Sequence, residues 1–436
     1  MTVTSWEIKK IGELFATTLL AMVIISASDS VPVQIIAFVF ASLVPVAIVK
    51  FDIFHPYCWF SAFFCVYSVS YSLLHCMGYS IYGYNKIILQ YELIALLVTL
   101  IIISPRKYKY DYDSIKQKLN VNTGIFNRIL YIVMALALII GAFYIRQTGY
   151  VNKRQIYANS GLLMNLVFRI PLVFSILTPF IMVDEYNKKG KIPVRYILVV
   201  AFSIAIITFF SGERDFLFRY MLILIFLLFF FGIIKNRHFL ILIPAFIVLF
   251  PLSAIYKYYF LGGGIAAKVN NGFLYAFLTS DFNSASQNLQ YLVSNGDADG
   301  MLGFSRLGKD VNSLFSNSVP SMTSWYNNTF FANSRSGKGF SLVGEGYVIG
   351  GVVGIIVVFA IVGLIIKFFY ANSQKNIWFF SAYLYFITLM IYSIRGDLST
   401  IYSGILRQII PVELLIFMLM YFCRQKPKRY FQGERI

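Results

Sequence analysis

A chain of 436 residues with 58% apolar and only 13% charged residues carries about half the charge of a soluble globular domain, for which about 25% is usual. The mean hydropathy of +0.72 excludes a water-soluble fold. The net charge of +18 is therefore read as a topology and lipid-surface signal, and nucleic acid is excluded as a partner because no basic face belongs to a soluble domain.

A hydrocarbon core about 30 Å thick takes about 20 apolar residues per helix. Such runs lie at 11–27, 31–49, 56–77, 87–104, 126–145, 162–183, 193–210, 216–234, 239–259, 342–369, 377–394 and 402–422. Only helices or closed barrels satisfy every backbone group in lipid. The sequence thus predicts an all-α, polytopic integral membrane protein of about twelve transmembrane helices, a single transmembrane domain over 1–436. No small-residue cleavage site follows the first run, which is read as retained. Cys58, Cys65 and Cys76 lie in the third run and Cys423 follows the last, so no structural disulfide is implied. His55, His75 and His238 are scattered, with no metal-ligand spacing to any cysteine, and read as interfacial or packing residues.

Three connections are long. The segment 105–125 is basic and tyrosine-rich and reads as a topology anchor; 146–161 holds Lys153, Arg154 and Tyr157. The largest, 260–341, separates the ninth and tenth runs, and a loop of that length is functional or disordered. Leu289, Tyr291 and Leu292, then Leu302, Phe304, Leu307, Leu314 and Phe315, predict two or three short amphipathic helices folded over the outer mouth of the bundle.

Lysine and arginine set the orientation. With both termini cytoplasmic, the inner side receives Lys9, Lys10, Lys50, the basic segment 106–118, Arg128, the segment 188–195, Lys235, Arg237, Lys367, Lys375 and the tail 424–435. The outer side then holds Arg146, Arg154, Arg214, Arg219, Arg306, Arg335, Arg395 and Arg407. Cations are normally depleted there, so a negatively charged ligand is expected. Arg214 sits in Ser-Gly-Glu-Arg-Asp (211–215) and Arg395 in Ile-Arg-Gly-Asp (394–397), each in a tight turn after an outward-running helix. That is the height of a diphosphate head group on a membrane-embedded lipid, and arginine's planar fork suits phosphate oxygens. Arg169, two turns into the sixth run, and Arg407, in the last, should face a polar cavity. For each arginine the alternative is snorkelling to lipid phosphates.

Acids on this face are fewer. Asp215 and Asp397 read first as partners of the neighbouring arginines. Glu345 stands in Gly-Glu-Gly-Tyr-Val-Ile-Gly-Gly (344–351) at the entrance to the tenth run, either as a general base or as a charge stabilised by a helix N-terminus. The catalytic candidates are Arg214, Arg395, Glu345 and Asp281. The substrate-binding candidates are Arg154, Arg169, Arg219, Arg407, Tyr157 and Tyr347. No metal cluster and no cofactor are expected on this face.

Ser-Gly-x-Arg ending one run, a late eighty-residue outer loop, Gly-Glu-x-Tyr-x-x-x-Gly opening the next, and Arg-Gly-Asp before the last run resemble the Wzy-type O-antigen polymerases. The resemblance covers the whole arrangement of runs and loops. Ile349 and Gly350 depart from a commoner Gly-Glu-x-Tyr-x-Asn-Phe-Gly form. The resemblance implies a glycosyltransferase of the bacterial inner membrane that joins undecaprenyl-diphosphate-linked oligosaccharide repeat units at the periplasmic face, without a metal. It implies that Arg214 and Arg395 engage the lipid diphosphate, and that the lipid-linked donor and acceptor, the bilayer and a chain-length regulator protein are the partners. The rival expectations are a lipid-linked oligosaccharide flippase and an O-antigen ligase. The ligase resembles a family with a histidine in its large outer loop, and 260–341 contains none.

Overall fold

The computed structural model describes residues 4–79, 82–108, 115, 123–148, 162–211, 214–235, 238, 275, 278–294, 298–316, 319–332 and 339–422. Among them every regular element is a helix. In chain order these are α1 (Ser5–Ala27), α2 (Val31–Ile48), α3 (Pro56–Cys76), α4 (Ile87–Ile103), α5 (Thr123–Thr148), α6 (Leu162–Lys189), α7 (Val194–Ser211) and α8 (Arg214–Phe230). Then follow α9 (Asn283–Ser294), α10 (Ser305–Asn312), α11 (Met322–Phe330), α12 (Leu342–Asn372), α13 (Ile377–Ser393), α14 (Leu398–Gly404) and α15 (Ile410–Phe422). A π-helical turn, Leu278–Phe282, leads into α9, and another, Ile405–Ile409, joins α14 to α15.

Among the described residues five helices are long and apolar enough to cross a membrane: α1, α2, α3, α12 and the continuous Leu398–Phe422; α4, α7 and α13 are shorter apolar helices. The apolar runs and the helices coincide to within a few residues at most ends, and the run at 239–259 lies outside the described residues. Helix starts carry local signals. Thr4 and Glu7 form a capping box on α1, and Ser341, Asn376 and Asp397 cap α12, α13 and α14 with their side chains.

Two groups of helices pack side by side. One is α1 to α4 with α12 laid along α4; the other is α5 to α8 with α13, and α13 also meets α3 and α12. The seam is aromatic: Phe369 stacks on Phe386 with centroids 4.3 Å apart, and Trp59 donates to the Tyr383 hydroxyl at 3.1 Å. His55, fully buried, caps α3 by accepting from the Tyr57 N–H, in keeping with a packing role.

The loop helices differ from the expected cover in one respect. α10 and α11 are short, but α9 is driven in among α3, α4 and α12, with Leu289 and Leu292 buried. The Tyr71 N–H donates to Ser286 Oγ at 3.3 Å and the Asn85 N–H to Gln290 Oε1 at 3.1 Å, so α9 is also tied to the backbone of α3 and of the chain entering α4. Phe315, expected on an apolar face, is 81% exposed.

The tenth run is not one straight helix. Gly351 has φ +56°, where a β-carbon is strained, and the backbone leaves helical geometry at Gly350 and Gly351. The segment 342–349 folds back on the start of the segment 352–372: a β-carbon on Gly346 would lie 2.6 Å from Ile355 Cα, nine positions along the chain. In a straight helix those residues stand about 13 Å apart. The freed carbonyls are capped by the loop, since the Gly300 N–H donates to Tyr347 O at 3.1 Å and the Leu302 N–H to Val348 O at 3.1 Å. The remaining 21 residues of 352–372 still reach about 31 Å.

Candidate functional site

The site is built around the turn between α13 and α14. Ile394 and Arg395 direct their carbonyls at the chain entering α12, accepting from the Leu342 N–H at 3.2 Å and the Phe340 N–H at 2.9 Å. Glu345, with no exposed surface, accepts the Leu398 N–H on Oε2 at 2.8 Å. Asp397 is also fully buried. Its Oδ1 accepts from Ser399 Oγ and from the N–H and hydroxyl of Thr400, and its Oδ2 from the N–H and hydroxyl of Thr323, all at 2.7–2.8 Å. The expected pairing of Asp397 with Arg395 is therefore replaced by a helix cap that also ties α11 to α14. A carboxylate with five neutral donors needs no cation.

On one side of this turn lies an arginine–tyrosine array. Arg219, one and a half turns into α8, is buried and pairs with Asp215 at 2.8 Å across one helical turn. Its Nη1 donates to the Tyr385 hydroxyl at 3.0 Å, and that hydroxyl donates to Gln408 Oε1 at 2.7 Å. The Arg219 guanidinium lies 5.1 Å from the centre of the Tyr392 ring, and the Arg395 guanidinium lies 4.6 Å from the same centre. Two cations from distant parts of the chain thus share one half-buried ring. Arg219 Nε is buried with no acceptor among the described residues. Arg214, half-buried, opens α8 about 7.5 Å along the axis from Arg219.

On the other side lies a carboxyl cluster. Asp310 of α10 is within hydrogen-bond reach of Glu345, and Asp397 stands beside both. Arg306, one turn earlier on α10, pairs with Asp310 at 3.0 Å and donates to Pro320 O at 2.5 Å. Burial pushes the Asp310 carboxyl up to about 6; the charge of Arg306 and a hydrogen bond from Glu345 work in the opposite sense. Glu345 Oε1 and both Asp310 oxygens lack a full complement of hydrogen-bond donors among the described residues. Two carboxyls this close repel each other when both are ionised, which favours the protonated form of one of them.

The sequence candidates therefore separate. Arg219 and Arg395 are brought together, with Arg214 next to them on α8. Glu345 is drawn into the carboxyl cluster, two residues along the turn from the array through Asp397. Tyr347 packs its ring against Tyr91, centroids 5.6 Å apart. Arg407, exposed on the π-helical turn, donates to Leu314 O and Ser313 O, holding the end of the α10 segment. Arg169 is exposed on α6. Arg154, Tyr157 and Arg335 lie outside the described residues, and the side chains of Asp281 and Arg146 likewise. The joining of Tyr385 and Tyr392 to the arginines, and of Asp310 to Glu345, was missed, because those contacts are tertiary. Among the described residues no group of three or more His, Cys, Asp or Glu side chains is arranged to hold a metal ion. The chain matches no family model, no curated protein and no solved structure.

Proposed function

We propose that this chain polymerises lipid-linked oligosaccharide repeat units by glycosyl transfer at the outer face of a bacterial inner membrane. The observation that carries the reading is the pair Arg219 and Arg395 on the Tyr392 ring, with an unmatched donor on Arg219. Two guanidinium groups held against one ring concentrate positive charge there, with Asp215 paired to Arg219. A diphosphate is attracted to that charge and accepts planar pairs of N–H donors, among them the Arg219 Nε–H that has no acceptor among the described residues. A membrane-anchored diphosphate reaches this height without leaving the bilayer.

In the reaction the acceptor hydroxyl attacks the anomeric carbon of the donor, the bond from that carbon to the diphosphate oxygen breaks with its electron pair leaving on that oxygen, and the hydroxyl proton passes to the departing diphosphate. Arg219, Arg395 and Arg214 stabilise the charge that grows on the departing diphosphate. Glu345 acts as a positioning residue: it holds the Leu398 N–H and so fixes the turn that presents Arg395. Asp397 fixes the same end of the turn through Ser399, Thr400 and Thr323.

The test is genetic. A chromosomal deletion complemented with Arg395→Ala should leave lipid A–core capped with a single repeat and no ladder on a lipopolysaccharide gel. A flippase or a ligase would lose even the single repeat. Uncapped core alone, with normal protein level and normal repeat synthesis, rules the polymerase out.

A further inference from the structure

At the far end of α7 from the arginine array, α5, α6 and α7 enclose a cavity of about 290 Å³. Its lining includes Tyr131, Glu185, Lys189, Lys191, Arg195 and Tyr196. These come from three helices that pack on one another and from the tight α6–α7 turn. Glu185 is buried and is matched by Lys189, 2.6 Å away. Lys191 and Arg195 are exposed and pair with no acid among the described residues. The cavity therefore keeps an excess of positive charge, set beside the Tyr131 ring, while the Tyr196 hydroxyl lies 3.4 Å from Thr178 Oγ1.

The cavity opens onto an apolar surface. Val194, Leu198 and Phe202 recur every fourth residue along one face of α7 and are 60%, 63% and 68% exposed. Ile132, Leu136, Ile139 and Phe143 form a similar exposed line along α5, beginning next to Tyr131. In a helix this apolar such faces meet acyl chains. A basic recess at a helix end, continuous with apolar stripes running away along the membrane-crossing direction, matches one molecule in both parts.

We propose that this cavity binds the phosphodiester head group of an anionic phospholipid, with an acyl chain laid along Val194, Leu198 and Phe202. Lys191 and Arg195 contact the phosphate, and Tyr131 and the Glu185–Lys189 pair bound the recess. Basic pockets between transmembrane helices commonly take anionic lipid heads. The site lies at the opposite end of α7 from Arg214 and Arg219, so it stands independently of the glycan reaction proposed above.

The purified full chain in neutral detergent is titrated with dioleoyl phosphatidylglycerol, with dioleoyl phosphatidylcholine and with inorganic phosphate. Bound lipid is read by native mass spectrometry and stabilisation by the thermal transition. Phosphatidylglycerol should bind and raise the transition, phosphatidylcholine with the same chains should bind at least tenfold more weakly, and inorganic phosphate should neither stabilise nor displace the lipid. K191A/R195A should weaken phosphatidylglycerol binding about tenfold while its transition in phosphatidylcholine stays at the wild-type value, and K191R/R195K should restore binding. Should the double alanine variant fail to fold, Arg195→Gln alone is read the same way, with a severalfold loss expected. Equal binding of the two lipids, or unchanged phosphatidylglycerol binding in the folded variants, overturns the proposal. Full displacement by inorganic phosphate overturns it as well, since the site would then be a free-anion site.

Discussion

Arg219 and Arg395 are held by different means, and that difference sets what each substitution does. Arg219 is buried and ion-paired to Asp215, while Arg395 rests on Tyr392 from a turn whose backbone is anchored at Phe340 and Leu342. A lysine keeps the charge at either place but loses the planar fork. If the pair orients a leaving diphosphate, Arg395→Lys should lower polymerisation about a hundredfold, on the order of 3 kcal/mol in the transition state, with KM little changed. Rates with purified protein and lipid-linked repeats check this, and full activity in the lysine variant removes the role of the fork. Asp310 makes a separate prediction. Its folded-state pKa lies near 6, above the ordinary 3.8. A raised carboxyl stabilises the fold fully below about pH 4, and that contribution is lost as the pH rises through about 6. The groups facing it are Arg306, Glu345 and Asp397. Asp310→Asn mimics the protonated form, so the fall in melting temperature between pH 4.5 and 7.5 should be smaller in the variant than in the wild type. Identical pH slopes would mean that Asp310 ionises freely in the fold.

The folded-back α12 is the element on which the site depends, because it carries Glu345 beneath the Arg395–Leu398 turn. A methyl at Gly346 would overlap Ile355 backbone atoms at 2.6 and 2.9 Å. Gly346→Ala should therefore cost about 1–3 kcal/mol or more, read as a lower thermal transition in detergent. Gly12→Ala, in the interior of α1 with nothing within 4 Å, should be neutral or stabilising by up to about 1 kcal/mol. Equal transitions for the two variants would contradict the close approach. The break itself was hidden in the sequence. The run from Leu342 onward is apolar apart from Glu345, and hydropathy cannot tell a straight helix from two that double back; only Gly346, Gly350, Gly351 and Gly354 hint at it. The start of the last helix is legible from its cap and not from apolarity. Apolarity places its beginning near 402, but Asp397 followed by Leu-Ser-Thr is an N-cap signal, and α14 begins at Leu398.

At the scale of the whole molecule, most helix boundaries were legible because lipid demands long apolar runs, and the two arginine turns at 214 and 395 stood out because charge is rare in this chain. What brings Arg219 to Tyr392, or Asp310 to Glu345, is helix packing across hundreds of residues, and no local pattern encodes it. Orientation is a matter for labelling. In a background with the native cysteines replaced, Asn312→Cys should react with an impermeant maleimide added to intact cells, and Lys375→Cys should react only after permeabilisation; the reverse pattern would place the arginine array on the cytoplasmic side. The most direct test of the central claim is reconstitution of the purified chain in vesicles with lipid-linked repeat units. The account predicts a glycan ladder, one lipid diphosphate released for each bond formed, and loss of both in Arg395→Ala. Movement of the lipid-linked repeats across the vesicle with no bond formed would contradict it.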